Sequence, residues 1–184
     1  MKIDITLKIT AEILESQNKI VDPLLKGHLG THFDVMNKEF PLEYTARKAV
    51  VFDVSAVKDR DVDIADVDLD RITGDSFVAF YTGYYALTPY GSREYFKNHP
   101  QLSFALIDAL LDKGVSIIGV DFAGIRRGKE HTPTDQKCAD RNVFVLENLR
   151  NLDLLLGAEN ITVHTYPMSI ENLSGLPCRV VAEI

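Results

Sequence analysis

Short apolar runs separated by polar residues dominate the pattern along the chain. Residues 48–55 and 76–82 are rich in β-branched and aromatic residues, and residues 115–120 are apolar at almost every position. Such runs predict β-strands, and an apolar run without alternation is typical of a strand buried on both faces of a sheet. Residues 1–8 alternate between polar and apolar, which predicts an opening strand. We predict further strands at residues 143–146, 161–165 and 179–184.

The clearest helical pattern spans residues 103–113. Ser103 is suited to cap the first turn, and Gly114 is suited to the left-handed position that follows the last turn. Residues 147–156 predict a second, shorter helix. Helix, glycine and buried strand in succession indicate an α/β fold with a mixed sheet, in a single domain over residues 1–184. The apolar face of the first helix consists of Phe104, Ile107, Leu110 and Leu111.

Composition and charge narrow the classes of partner. The chain has 184 residues and a formal net charge of -7, whereas binding to nucleic acid or to anionic lipid requires a basic surface. No run approaches the roughly 20 apolar residues needed to span a bilayer, and the N-terminus lacks the apolar run of a signal peptide. Cys138 and Cys178 have no motif spacing, which is typical of reduced thiols. We therefore expect a cytoplasmic protein that acts on a small molecule.

The candidate chemistry lies in one short segment, where His28, His32 and Asp34 form an H-x-x-x-H-x-D cluster. Imidazole nitrogen and carboxylate oxygen are ligands that zinc and manganese accept. Gly27 and Gly30 disfavour a helix here and favour a bent loop that enters a strand. In a strand, His32 and Asp34 point the same way, and the loop returns His28 towards them. The alternative is a solvated loop that carries these residues by chance.

The same segment resembles the H-x-G-T-H-x-D signature of the cyclase family, which includes bacterial kynurenine formamidases and related cyclic-amide hydrolases. The resemblance extends over most of the chain. It includes an opening strand, a central strand that ends in Thr-Gly, a middle section with a helix and Gly-Val-Asp, a late glutamate motif and a final strand. These pieces are residues 2–6, 74–83, 95–121, 147–152 and 177–182.

The resemblance implies a compact α/β domain of the swivelling β/β/α type that assembles as a homodimer or homotetramer. It implies one or two divalent ions, zinc or manganese, that activate water to hydrolyse an amide. The amide is often an N-formyl arylamine, as in tryptophan catabolism. The expected metal ligands are His28, His32, Asp34 and Glu147, because these positions match the family motif.

Two departures from the family pattern affect the expected site. The family has a proline and a further histidine after the aspartate, where this chain has Met36 and Lys38. The family also has a histidine twelve residues before the late glutamate, where this chain has Asp135. Asp135 as a ligand gives an oxygen-rich site that favours harder ions such as manganese or magnesium. If that segment is helical, His131 is an alternative ligand one turn earlier.

The role of Lys38 stays open at the level of sequence. A lysine beside a dication is repelled, which favours its neutral form, and a neutral lysine can act as a general base. We therefore expect Lys38 as a catalytic residue, with a solvated lysine of no role as the alternative. Two functions follow from these departures. One is hydrolysis by metal-activated water, and the other is a diverged protein that binds a small metabolite without hydrolysis.

Two further features bear on the substrate. Residues 126–129 form a short basic turn after a predicted strand, and a basic turn near the mouth of a pocket would steer an acidic substrate. Tyr81, Tyr84 and Tyr85 cluster after another strand, where they form either core packing or an aromatic pocket wall. His99 and His164 are expected in packing or surface positions.

Overall fold

The computed structural model describes residues 1–10, 12–13 and 27–184, which contain one mixed β-sheet with helices packed around it. The order along the sheet is β1-β8-β2-β6-β5-β4-β3-β7, and an additional pairing of β7 with β8 closes seven strands into a barrel. β1 extends the sheet outside this ring. The strands are β1 (Lys2–Asp4), β2 (His32–Asp34), β3 (Ala46–Asp53), β4 (Phe77–Tyr81), β5 (Ile117–Val120), β6 (Phe144–Glu147), β7 (Thr162–Pro167) and β8 (Gly175–Glu183).

The direction of the strands divides the barrel into two parts. β3, β4, β5 and β6 run parallel, whereas β2 is antiparallel to both β6 and β8. Side chains alternate along the parallel strands, so that Phe77 and Ala79 enter one core cluster while Val78 and Phe80 enter another. Both faces of β4 are therefore buried, which explains why its sequence is apolar without alternation.

The helices cover the parallel part of the sheet. They are α1 (Tyr84–Leu87), α2 (Arg93–Asn98), α3 (Phe104–Lys113) and α4 (His131–Asp140). In α3, Ser103 accepts a hydrogen bond from the Leu106 amide and Gly114 has a left-handed φ of 69°, as the sequence predicted. The 3-10 turns are Leu42–Thr45, Ile64–Asp66, Leu69–Arg71, Gly128–Glu130 and Leu152–Leu155.

The prediction of a helix over residues 147–156 is wrong. Glu147 is the last residue of β6, and only Leu152–Leu155 form a short 3-10 turn. Asn148 and Asn151 both have left-handed φ values, of 59° and 54°. Left-handed backbone interrupts a right-handed helix, and asparagine is one of the few residues that adopts it at small cost.

The α/β fold class with a mixed sheet is confirmed. Within the described ranges, none of the helices combines the length and the apolar composition that crossing a membrane requires.

Candidate metal centre

The short strand β2 brings two parts of the sequence together. It lies between β6 and β8, and its register places His32 directly opposite Glu147. Directly opposed residues of an antiparallel pair have neighbouring side chains on the same face, and His32 Nε2 lies 3.5 Å from Glu147 Oε2. Asp34 is two residues further along the same face, with its Oδ1 3.7 Å from His32 Nε2. All three side chains are buried.

The loop before β2 returns His28 to this group. His28 Nδ1 lies 3.0 Å from Asp34 Oδ1 and 3.1 Å from His32 Nε2. Gly30 provides a left-handed φ of 70°. Gly27 packs so closely on β8 that an added Cβ would lie 2.3 Å from the Gly175 carbonyl oxygen. The glycines of the motif thus permit the bent path that the sequence predicted.

Helix α4 supplies the opposite side of the cluster. Its first residue, His131, places Nε2 3.1 Å from Asp135 Oδ2 and 3.6 Å from Glu147 Oε1. His131 and Asp135 are four residues apart, so they share one face of the helix. Asp34, His131 and Asp135 form a second possible metal-binding group, beside the group of His28, His32 and Asp34. Asp34 belongs to both groups.

Hydrogen-bond accounting separates this cluster from the rest of the interior. In the part of the chain that the structure describes, six buried side-chain polar atoms have no hydrogen-bond partner. Five of them are carboxyl oxygens of Asp34, Asp135 and Glu147. Buried polar groups without partners are costly, and an ion is one of the few explanations for several of them in one place. Imidazole nitrogens and carboxylate oxygens are ligands suited to a divalent cation, so the donor set fits such an ion.

The electrostatics of the cluster lead to the same conclusion. Burial lowers the pKa of His32 to about 4 although Asp34 opposes this effect, so the imidazole is neutral at pH 7. Burial also acts to raise the pKa of Asp34, but contact with His28 and the nearby imidazoles outweighs it and lowers that pKa to about 2. The pKa values of Asp135 and Glu147 are raised, first by burial and then by the charge of Asp34. A cation would favour ionisation of all three acids.

Protein acceptors hold the imidazole rings in one orientation. Gly30 O lies 2.8 Å from His32 Nδ1, and Arg126 O lies 3.1 Å from His131 Nδ1. A ring nitrogen bound to a carbonyl carries the proton, so the opposite nitrogen presents its lone pair to the cluster. Asn148 supports this arrangement, because its side-chain amide donates to Gly30 O and its Oδ1 accepts from the Tyr95 hydroxyl.

The cluster lies in an open cleft of about 520 Å³. Phe96, Met36 and Ala123 provide apolar surface, and His99 and Arg127 provide polar groups. The cleft is large enough for a small aromatic molecule. The other lining residues are His28, His32, Asp34, Gly128, His131, Thr132, Asp135, Glu147, Asn148 and Ser174.

The structure brings together all five metal ligands expected from the sequence: His28, His32, Asp34, Asp135 and Glu147. Their role as ligands stays a prediction. His131, an alternative that depended on a helix, lies in the cluster because α4 forms. Ser174 and Tyr90 were missed; the Ser174 hydroxyl lies 2.9 Å from His28 Nε2, and the Tyr90 hydroxyl accepts from the Gly30 amide. No motif spacing in the sequence marks either residue.

Lys38 lies elsewhere. Its Nζ is 2.9 Å from Asp140 Oδ1 near the end of α4, in a partly exposed ion pair, and it does not line the cleft. This position gives no support to the catalytic role expected from the sequence. Of the three tyrosines considered as a pocket wall, none lines this cleft. His99 is buried, as expected for a packing residue, but its ring also lines the cleft.

Comparison with known families gives one match. Residues 3–126 match the model of the family described as putative cyclase. This match covers the segment from His28 to Asp34 and ends before His131. No curated protein sequence matches the chain.

Comparison with solved structures identifies the same fold in several hydrolases. A potential metal-dependent hydrolase with cyclase activity superposes with a TM-score of 0.72 at 22% identity, over 99% of this chain and 96% of that one. Isatin hydrolase A from Labrenzia aggregata gives 0.71 at 22% identity, over 85% and 73%. Isatin hydrolase A from Ralstonia solanacearum gives 0.69 at 24% identity, over 83% and 70%. At these identities the likeness establishes the fold.

Proposed function

The chain belongs to the putative cyclase family, and from this premise we propose that it is a metal-dependent hydrolase of a small amide, either an aryl formamide or a cyclic amide. One observation carries the proposal. Five buried carboxyl oxygens without hydrogen-bond partners lie beside imidazole nitrogens in a single open cleft. The solved structures of similar fold include metal-dependent and isatin hydrolases, which supports this class of reaction.

His28, His32 and Asp34 would hold the ion, with Glu147 beside them. When bound, a divalent cation supplies a Lewis acid that makes water nucleophilic and polarises a carbonyl group. Gly30 O and Ser174 Oγ keep the two rings turned towards the ion. The apolar surface of Phe96 and its neighbours excludes water from the ring of an aryl substrate.

Proton transfer is assigned to the carboxyl groups of Asp135 and Glu147. Burial and the charge of Asp34 raise the pKa values of both groups, which suits acids that take up a proton and release it again near neutral pH. We propose that one of them accepts a proton from the attacking water and delivers it to the departing nitrogen. His131, whose Nε2 lies within 3.6 Å of both groups, would orient them.

The test is hydrolysis by the purified protein supplied with zinc or manganese. We expect release of formate from an aryl formamide, or opening of a cyclic imide or of isatin, and loss of this activity with a chelator. The thermal midpoint should also rise when the ion is added, by the mass-action stabilisation of about 2.7 kcal/mol at 100 times the dissociation constant. Absence of both effects over the whole panel and with both metals would contradict the proposal.

A diverged protein that binds a metabolite without hydrolysis is the second candidate. The position of Lys38 favours it, because the residue that replaces the family's further histidine is paired with Asp140 outside the cleft. Tight binding of aryl amides by the metal-loaded protein without turnover would support this candidate. The expected homodimer or homotetramer is part of the proposal as well, and light scattering of the purified protein tests it.

A further inference from the structure

Two neighbouring arginines at the edge of the cleft have different surroundings. The Arg126 guanidinium is buried between Asp61 and Glu130 and donates to Leu102 O. This guanidinium has its full set of partners and serves the fold. Arg127 is half-buried, and among the described residues it forms no ion pair. Its Nη1 makes one longer contact, of 3.3 Å, with Lys97 O.

The fold holds Arg127 at the cleft. The Gln101 side chain accepts a 2.8 Å hydrogen bond from the Arg127 amide, and the contact with Lys97 lays the guanidinium along the end of α2. Arg127 lines the same cleft as the metal cluster. A guanidinium presents paired N–H groups that match the two oxygens of a carboxylate. A positioned guanidinium without an acidic partner is therefore suited to an anionic ligand.

The surroundings of Arg127 favour an aromatic acid. Phe96, which belongs to the same helix as Lys97, is 42% exposed and packs edge-on against Tyr90 and Tyr95. It lines the cleft together with Met36, so an apolar surface lies in the same cleft as the cation. The N-terminus of α4 also borders the cleft, and the positive end of its dipole adds to the attraction for an anion.

We propose that Arg127 is a specificity-determining residue that binds the substrate carboxylate, so that the substrate is an aryl amide bearing a carboxylate group. This inference rests on the proposed function for the reaction, whereas the binding of the acid is independent of hydrolysis. The carboxylate forms paired hydrogen bonds with Arg127, the ring contacts Phe96, and the amide reaches the cluster around His32 and Glu147.

The test uses two fluorescent probes of the same shape, 2-aminobenzoate and its neutral analogue 2-aminobenzamide. We expect the wild-type protein to bind 2-aminobenzoate at least about 10-fold more tightly, because hydrogen bonds between charged groups are among the strongest in proteins. The variant Arg127→Met should lose this preference, and Arg127→Lys should retain part of it. Titrations before and after dialysis against a chelator separate binding at Arg127 from binding of the carboxylate to an ion.

Lys129→Met is the matched control. It removes the same unit charge from the same turn at an exposed position that does not line the cleft, and its preference should stay within 2-fold of wild type. Equal binding of the two probes by wild type, or a preference that survives in Arg127→Met, would overturn the inference. So would an equal loss in Lys129→Met.

Kinetics separate this inference from the proposed function. With 2-formamidobenzoate and 2-formamidobenzamide as substrates, Arg127→Met should raise KM about 10-fold for the acid alone and leave kcat nearly unchanged. If no substrate is hydrolysed but the probe preference depends on Arg127, the proposed function fails and the binding role stands. If both substrates are hydrolysed with equal KM by wild type and variant, the proposed function stands and the role of Arg127 fails.

Discussion

Two adjacent parallel strands, β5 and β6, end at buried acids that have opposite surroundings. Asp121 follows β5 and accepts hydrogen bonds from the Thr82 amide, the Thr82 hydroxyl and the Gly83 amide, at 2.6 to 3.1 Å. Glu147 ends β6, and its Oε1 accepts no hydrogen bond. Burial raises the pKa of both acids, to about 6 for Asp121, where the hydrogen bonds limit the increase.

The comparison shows that burial alone does not identify a functional acid. Asp121 ties the ends of two strands together, so its partners explain its presence. Glu147 and its neighbours Asp34 and Asp135 raise the energy of the folded protein unless a cation joins them. Unsatisfied acceptors, rather than burial or a shifted pKa, distinguish the candidate site from a structural carboxylate.

The variant Glu147→Gln should have the largest effect. We expect a loss of more than the about 100-fold that removal of an outer partner brings, in both ion affinity and hydrolysis. The metal-free protein should gain about 1 kcal/mol in stability, because one of three clustered acids is neutralised. Calorimetric titration with manganese and urea unfolding measure the two effects. Glu171→Gln, at an exposed position, should change neither, and wild-type ion affinity in Glu147→Gln would contradict the assignment.

The variant Asn148→Gly tests the support of His32. Glycine accepts the left-handed φ of 59°, so the change removes the side-chain bond to Gly30 O without straining the backbone. We expect ion affinity to fall about 10-fold. Asn142→Gly is the matched control, since it has a φ of 56° at an exposed position away from the cleft. Equal affinities in the two variants would show that Asn148 has no positioning role.

The variant Thr82→Val probes the structural acid. Loss of the hydroxyl that donates to Asp121 should cost about 1 kcal/mol and leave ion affinity unchanged. The folded pKa of Asp121 already lies above the ordinary 3.8, so ionising it costs stability as the pH rises towards 6. Without the hydroxyl this pKa rises further, so the deficit of the variant should grow between pH 5 and pH 8. In Thr165→Val, whose hydroxyl bonds a backbone carbonyl, the deficit should not vary with pH; a constant deficit in Thr82→Val would refute the account.

The variant Lys38→Met should have the smallest effect. Its partly exposed ion pair with Asp140 contributes at most about 1 kcal/mol to stability. We expect hydrolysis to change less than 2-fold, because Lys38 does not line the cleft. A loss of 100-fold at constant ion affinity would restore the catalytic role that the sequence suggested, and would remove proton transfer from Asp135 and Glu147.

Local signals explain what the sequence predicted correctly. Residues 28–34 contain both the ligands and the glycines that bend their backbone, so this half of the cluster was visible in one segment. The helix Phe104–Lys113 carried its own cap and stop signals. In contrast, residues 147–156 have a helical apolar pattern, but pairing of β6 with β2 and β5 and two left-handed asparagines prevent a helix.

The sequence by itself determined the fold class and the half of the site that lies around β2, because alternation, glycine conformation and ligand spacing act over a few residues. The tertiary structure decided the other half. Only the register of β2 against β6 places His32 opposite Glu147, and only the helical turn of α4 brings His131 and Asp135 to the same ion. Lys38, two turns of chain from the motif, was directed to Asp140 by the same helix. Such outcomes depend on distances between segments over 90 residues apart, which no local pattern encodes.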